Sequence, residues 1–330
     1  GNLSEKHGRK RVLLLGWIIA LPIPFIFLYA PNWNWIIAAN ILLGVNQGFS
    51  WSMTVTSKID ITRAEHRGFA TGLNEFLGYG GVAIAGVVTG YLANDFDPRW
   101  TLFSLGLFII LVGITIAYIF IIDTLPWAKA EAKAHSSQAS VGPIPRFPKN
   151  VSKHPSANEV FKLVSFKNRT FSALSQAGCI EKFVDALVWV FFPLFFYQKG
   201  LTIIDIGWIV GSYGMVWGAS QLWTGPLSDA IGRKLPIILG MWICSIGVIA
   251  TIVVEGFFYW MATAAITGIG MALLYPTLIA AVGDISHPNW RGSSLGTYRF
   301  WRDIGYGIGA LSLGIVAEIT GKIEAGFILT

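Results

Sequence analysis

Apolar runs of about twenty residues follow one another along the chain, each broken by a short stretch holding charged, prolyl or glycyl positions. They fall at about 12–30, 34–56, 68–92, 100–122, 171–197, 204–223, 235–254, 257–281 and 293–318, and another starts near 323. At 1.5 Å per residue, each run is long enough to cross about 30 Å of hydrocarbon as a helix. The pattern therefore predicts an all-α, polytopic membrane protein. The basic opening GNLSEKHGRKR leads straight into a full-length run, so no signal peptide is predicted.

The pattern also repeats. A shift of 224 residues lays Gly1, Leu3, Ser4, Gly8, Arg9 and Lys10 on Gly225, Leu227, Ser228, Gly232, Arg233 and Lys234. The same offset carries Trp51 onto Tyr275, Asp60 onto Asp284, Arg67 onto Arg291 and Gly72 onto Gly296. A single ungapped offset over this length marks an internal duplication.

Composition supports the membrane reading: hydrophobic residues make up 54% and charged residues 13%, where a soluble domain carries about 25% charged. Counted over alternate breaks, 18 Lys and Arg residues fall on one face and three (Arg99, Lys199, Lys322) on the other. By the positive-inside rule the 18-residue face is cytoplasmic, and this bias explains the net charge of +6 without a nucleic-acid partner. The long polar stretch 123–170 belongs to that face. It passes through the Pro-rich GPIPRFPKN and closes with ANEVFKLVSFKN. There Val160, Phe161, Val164 and Phe166 suit either a helix on the membrane surface or one short docked helix on a flexible tether.

Two loops of the form G-x-L-S-[DE]-x-x-G-R-K, half a chain apart between apolar helices, resemble the paired signature loops of the major facilitator superfamily. The resemblance covers essentially the whole chain and implies a twelve-helix fold of two pseudo-symmetric six-helix halves. About nine helices and a stub would be present, helices three to eleven and the start of twelve. Residues 1–122 would then belong to the first half, 123–170 to a cytoplasmic linker and 171–330 to the second half, with the first two helices lying before residue 1. It further implies a conformational latch formed by Gly1, Glu5, Gly8, Arg9 and Lys10 and by Gly225, Asp229, Gly232, Arg233 and Lys234. The fifth helix, GLNEFLGYGGVAIAGVVTG, lacks the Gly-Pro of the family's antiporter pattern.

Charges inside the apolar runs are the candidate chemistry, because each is unfavourable by a few kcal/mol unless paired or hydrated. Glu75, Glu181, Lys182, Asp185, Arg299, Arg302 and Asp303 lie about 12–22 Å from the cytoplasmic ends of their helices. They sum to −1, so mutual pairing neutralises most of the layer. Either the layer is a structural network of ion pairs, or one carboxylate, Glu181 or Asp185 first, carries a proton while an arginine holds solute. Arg299, Arg302, Asp303 and Tyr306 form one helical stripe, and Asn46, Gln47, Trp51 and Tyr275 are further candidates to line a cavity. The arginines favour an anionic or zwitterionic solute, although carboxylates of the same layer compete for them. Gly207, Gly211, Gly214 and Gly218 mark a face for close helix packing, and Pro193 and Pro276 are candidate hinges.

The expected function is a secondary transporter moving a small solute by alternating access, coupled to protons, embedded as a monomer in the cytoplasmic membrane. An uncoupled facilitator or a non-transporting sensor or scaffold of the same fold are the alternatives. No metal set, cofactor motif or nucleophile with its base is found in the sequence, so no enzyme activity is expected.

Overall fold

The computed structural model describes residues 1–138 and 155–330, and among them the chain is helical with no strand. A short α1 (Asn2–His7) leads into α2 (Arg9–Ala20). The first apolar run does not form one helix, because α2 gives way at Leu21 to α3 (Pro22–Tyr29). Pro22 and Pro24 have no N–H to continue the hydrogen-bond ladder. Next come α4 (Trp33–Ile61), whose first turn is capped by Asn32, α5 (Arg67–Asp95) and α6 (Pro98–Ile119). The Asp97 side chain caps α6 at the Arg99 and Trp100 N–H groups, with Pro98 at the first helical position.

The stretch between the halves of the duplication contains α7 (Leu125–Gln138) and α8 (Ala157–Lys162). Then α9 (Arg169–Ala186) passes through a π-helical turn, Leu187–Phe191, into α10 (Phe192–Gln198). That turn directly precedes Pro193, where a kink is expected. The chain continues through α11 (Ile203–Ile231), α12 (Lys234–Val253), α13 (Phe257–Ile285), α14 (Arg291–Thr320) and the stub α15 (Glu324–Leu329).

Among the described residues, five segments are long and apolar enough to cross a membrane by length and hydropathy alone: Arg9–Tyr29, Pro98–Ile119, Lys234–Val253, Phe257–Ile285 and Pro288–Thr320. The other long helices dilute their hydropathy with buried polar groups, among them Asn46, Glu75, Glu181, Asp185 and Gln221. Outward faces carry Trp33, Phe108, Ile119, Trp223 and Phe258, each more than half exposed. A surface of that kind suits hydrocarbon rather than water.

Helix α5 crosses α11 most closely near the motif loops. A methyl group on Gly68 would collide with the Gly225 carbonyl oxygen, and one on Gly225 with that of Gly68. Further along, a methyl group on Gly218 would lie 3.9 Å from Tyr79 Cβ, and Gly211 and Gly207 face open space. The two helices thus diverge away from the motif end. The stripe Gly207, Gly211, Gly214 and Gly218, expected to pack tightly, faces open space instead; the tight contact begins within one turn, where a methyl group on Gly72 would collide with the Gln221 carbonyl, and continues to Gly225. Helix α8 and the turn after it dock on α14. Val160, Leu163 and Val164 are buried, Phe161 meets the rings of Phe300 and Trp301, and Ser165 Oγ accepts from Trp301 Nε1 at 2.8 Å. Phe166 is the exposed exception, and GPIPRFPKN lies outside the described residues.

Candidate functional site

At the motif end the duplicated loops grip each other's repeat. Asp229 accepts from the Gly68 and Phe69 N–H groups, both at 2.8 Å, at the start of α5. Its repeat mate Glu5 accepts from the Ser293 N–H at 2.7 Å and the Ser293 hydroxyl at 2.9 Å, at the start of α14. Carboxylates are stabilised there by unpaired N–H groups and the helix dipole. Arg9 donates to Asp60 at 3.0 Å and Arg233 to Asp284 at 2.9 Å, each within its own repeat. Arg291 then reaches Asp60 at 3.3 Å and Arg67 reaches Asp284 at 3.2 Å, each across to the other repeat. Gly8 and Gly232 turn the loops with φ of 93° and 85°, a region glycine occupies without steric cost.

A further group of this network comes from α7. Glu131 of α7 accepts from Arg67 Nη2 at 3.0 Å and from Arg291 Nη1 and Nη2 at 2.9 and 2.8 Å. Arg67 and Arg291 are repeat mates, so Glu131 closes the network where the two repeats meet. Burial pushes the Glu131 carboxyl up, but the Arg291 and Arg67 guanidiniums outweigh it and hold the group below the usual carboxylate range.

A separate cavity of about 490 Å³ is bordered by Gln47, Trp51, Tyr79, Lys182, Arg299 and Tyr306, among others. Lys182, Arg299, Arg302 and Asp303 of the charged layer form part of its wall, while Glu75, Glu181 and Asp185 do not border it. Arg302 donates to Glu181 through Nε at 2.7 Å and Nη2 at 3.2 Å, and its guanidinium lies 3.9 Å from the centre of the Tyr275 ring. Asp185 accepts from Lys182, from Trp189 Nε1 at 2.8 Å and from the Tyr213 hydroxyl at 2.8 Å. Arg299 pairs with Asp303 at 3.0 Å, and Arg302 reaches Asp303 at 3.1 Å. Glu75 is different. It is fully buried and accepts from Asn74 Nδ2 at 2.7 Å and Trp51 Nε1 at 3.1 Å. Among the described residues its Oε2 has no hydrogen-bond partner and the carboxylate has no ion-pair partner. The nearest cation in this chain of contacts, Lys58, donates to Asn74 Oδ1 and stops one amide short. Trp51, Tyr79 and Tyr275 on the cavity wall are joined in a chain of ring contacts through Trp217, with the Tyr79 and Trp217 rings 4.4 Å apart.

Paired loops, a duplicated helical unit and a charged cavity at the repeat junction agree with a family match that covers residues 1–309. The chain belongs to the Major Facilitator Superfamily. Its fold superposes on the human organic anion transporter MFSD10 with a TM-score of 0.78 at 14% identity, covering 98% of this chain and 75% of that one. The proton:xylose symporter XylE gives 0.78 at 11% identity, covering 99% and 78%. In sequence, an uncharacterised MFS-type transporter of Methanocaldococcus jannaschii is 26% identical over 163 residues, 49% of this chain and 42% of the relative. The quinolone resistance protein NorA of Staphylococcus aureus is 24% identical over 135 residues, 41% and 35%. These matches therefore span less than half of each curated relative. The superfamily match makes the chain a multi-pass membrane protein.

Most of the sequence-derived positions converge. Gln47, Trp51, Tyr275, Lys182, Arg299, Arg302, Asp303 and Tyr306 all border the cavity. Asn46 does not: its amide donates to the Gly16 carbonyl at 2.9 Å and to Ser50, tying α4 to α2. One residue earlier on the helix than Gln47, it points about 100° away. Of the latch residues, Lys10 donates to the Tyr118 carbonyl at 2.7 Å, and Lys234 is exposed. Gly1 repeats the role of Gly225, because a methyl group there would collide with the Gly292 carbonyl. Tyr79, Trp217 and Glu131 went unnoticed in the sequence. The rings look like ordinary core, and Glu131 sits in an Ala/Lys-rich run whose local pattern does not flag it.

Proposed function

We propose that the protein is a proton-coupled secondary transporter that moves a small solute by alternating access, with Glu75 as its proton carrier. The observation that carries this reading is the residue left over in the charged layer. Glu181 with Arg302, Asp185 with Lys182 and Asp303 with Arg299 form three neutral pairs, so the surplus charge of −1 resides on Glu75. A paired carboxylate that takes up a proton strands its cation in a medium of low dielectric. Glu75 can gain and lose a proton without stranding a partner, and it shares Trp51 with the cavity. This reading moves the carrier from Glu181 and Asp185 to Glu75.

The bias of 18 basic residues against three supports a cytoplasmic motif end. On that orientation the contacts between Gly68 and Gly225, together with the Glu131 clamp, describe a conformation closed to the cytoplasm and open outward. Release of the clamp and closure of the diverging ends of α5 and α11 gives the opposite state. The fold neighbour XylE is a proton:xylose symporter, which is compatible with coupling of this kind. The test is reconstitution in vesicles with an internal pH dye and a panel of solutes. A solute that moves protons in wild type and in Asp185→Asn, but not in Glu75→Gln, supports the proposal; proton movement that survives Glu75→Gln refutes it.

A further inference from the structure

We infer that the solute is an amphipathic organic anion, with its charged head on Arg299 and Lys182 and its apolar body in a slot between α5 and α11. This rests on the charged cavity being the transport site, and it names the substrate class of that site. Two cavities meet there. The charged one, about 490 Å³, and an apolar one of about 550 Å³ share Tyr79 and Val82 as common walls. The apolar slot is bordered by Phe76, Trp189, Gly211, Gly214, Met215 and Trp217 and has no charged residue in its wall. Gly211 has nothing within 4 Å of where a side chain would begin, and Gly214 meets only the Trp189 ring at 3.9 Å. The space is open and lined by carbon.

The charge of the head follows from which hydrogen-bonding groups are already used. Arg302 spends Nε and Nη2 on Glu181 and Nη1 on Asp303. Asp303 accepts from Arg299 on one oxygen and from Arg302 on the other. Asp185, which lies behind Lys182, holds three donors. Apart from Glu75, which does not border the cavity, each carboxylate oxygen of the layer therefore already holds a donor, while cationic donors remain. Arg299 uses only Nε, leaving both Nη groups, and Lys182 uses one of three N–H bonds. Two cationic groups with spare donors, facing a cavity whose carboxylates are satisfied, select a carboxylate, sulfonate or phosphate. A small hydrophilic solute would leave the slot empty, and an uncharged one would leave the Arg299 fork unused. Each of the two cavities is in the size range of pockets for drug-sized molecules, about 300–1,000 Å³.

The test is calorimetric binding to the purified protein in nanodiscs of zwitterionic lipid, with empty nanodiscs subtracted. The probes are 1-naphthaleneacetate, its neutral amide, the cationic 1-naphthylethylamine and acetate. The naphthyl carboxylate is expected to bind at least tenfold more tightly than each of the other three. Arg299→Gln is expected to reduce its affinity about tenfold, to the level of the amide. Gly211→Phe, which puts a ring into open space, is expected to weaken it by a similar factor. Gly214→Leu serves the same purpose if the phenylalanine variant does not fold. Equal affinity for amide or amine, or unchanged affinity in Arg299→Gln or in the slot-filling variant, overturns the inference. Binding requires no proton gradient, so failure here is separate from failure of coupling through Glu75.

Discussion

Replacing Glu131 with Gln tests whether the linker helix helps hold the gate shut. Arg67 and Arg291 are each almost fully buried, at 4% and 1% exposure, and lie on opposite repeats, while Glu131 is 27% exposed. The closed form lets one carboxylate serve both guanidiniums; once the repeats part, it can follow only one of them. The difference between the two states is thus about one charge-assisted contact, about 1.5–3 kcal/mol. At 1.4 kcal/mol per factor of ten, the closed-to-open ratio falls about 10-fold to 150-fold. The assay is pulsed electron-spin distance measurement between labels at His7→Cys and Lys234→Cys, both exposed motif-loop positions, with Cys179 and Cys244 replaced by Ala. Glu131→Gln should add a longer-distance population that Lys129→Ala, one turn fraction away, does not. An unchanged distribution refutes the role given to Glu131. The pH dependence has a definite sign as well. The carboxyl is held below its ordinary value in the closed form, so the clamp is fully present above that ordinary value, about 4.5. It weakens as pH falls toward the depressed value, so the closed population should be flat from pH 7 to 5 and decline only below.

Three further outcomes are expected. Gly225→Ala brings a methyl group onto the Gly68 carbonyl oxygen, so it should block full closure and raise thiol labelling at the motif end; unchanged labelling contradicts the close crossing. Asp229→Asn turns one acceptor facing the Gly68 and Phe69 N–H groups into a donor and should weaken the closed state by about 1–2 kcal/mol. Glu5→Gln should match it through Ser293, and the same spin-label distances check both. Glu181→Ala leaves the buried Arg302 with only its single contact to Asp303 and should lower stability by about 3 kcal/mol, seen as a fall in melting temperature that Glu75→Gln does not share. Equal falls would contradict the division between paired and unpaired carboxylates.

How far the sequence foretold the structure depends on the kind of contact. Apolar runs located the spanning helices because twenty-residue hydrophobicity is a local property, but their ends were placed short. Helix α4 continues to Ile61 and α11 to Ile231, beyond the expected 56 and 223, since polar residues leave the membrane without breaking a helix. The break at Leu21 was visible in LPIP yet hidden by unbroken hydrophobicity. Repeat arithmetic aligned Arg67 with Arg291 and Asp60 with Asp284, and these four meet in the gate. Charge counting gave the layer its surplus of −1 but could not say where it sits. Arg299 takes its partner, Asp303, from one turn away on its own helix. Glu131 was illegible because its partners lie 64 and 160 residues distant and nothing local marks it.

The most direct measurement is solute accumulation in vesicles under an imposed pH gradient, with Glu75→Gln beside wild type and downhill exchange of labelled solute measured in the same preparation. Coupling through Glu75 predicts that wild type concentrates solute and that the variant still exchanges it but no longer concentrates it. A Glu75→Gln protein that concentrates solute as wild type does would contradict that claim.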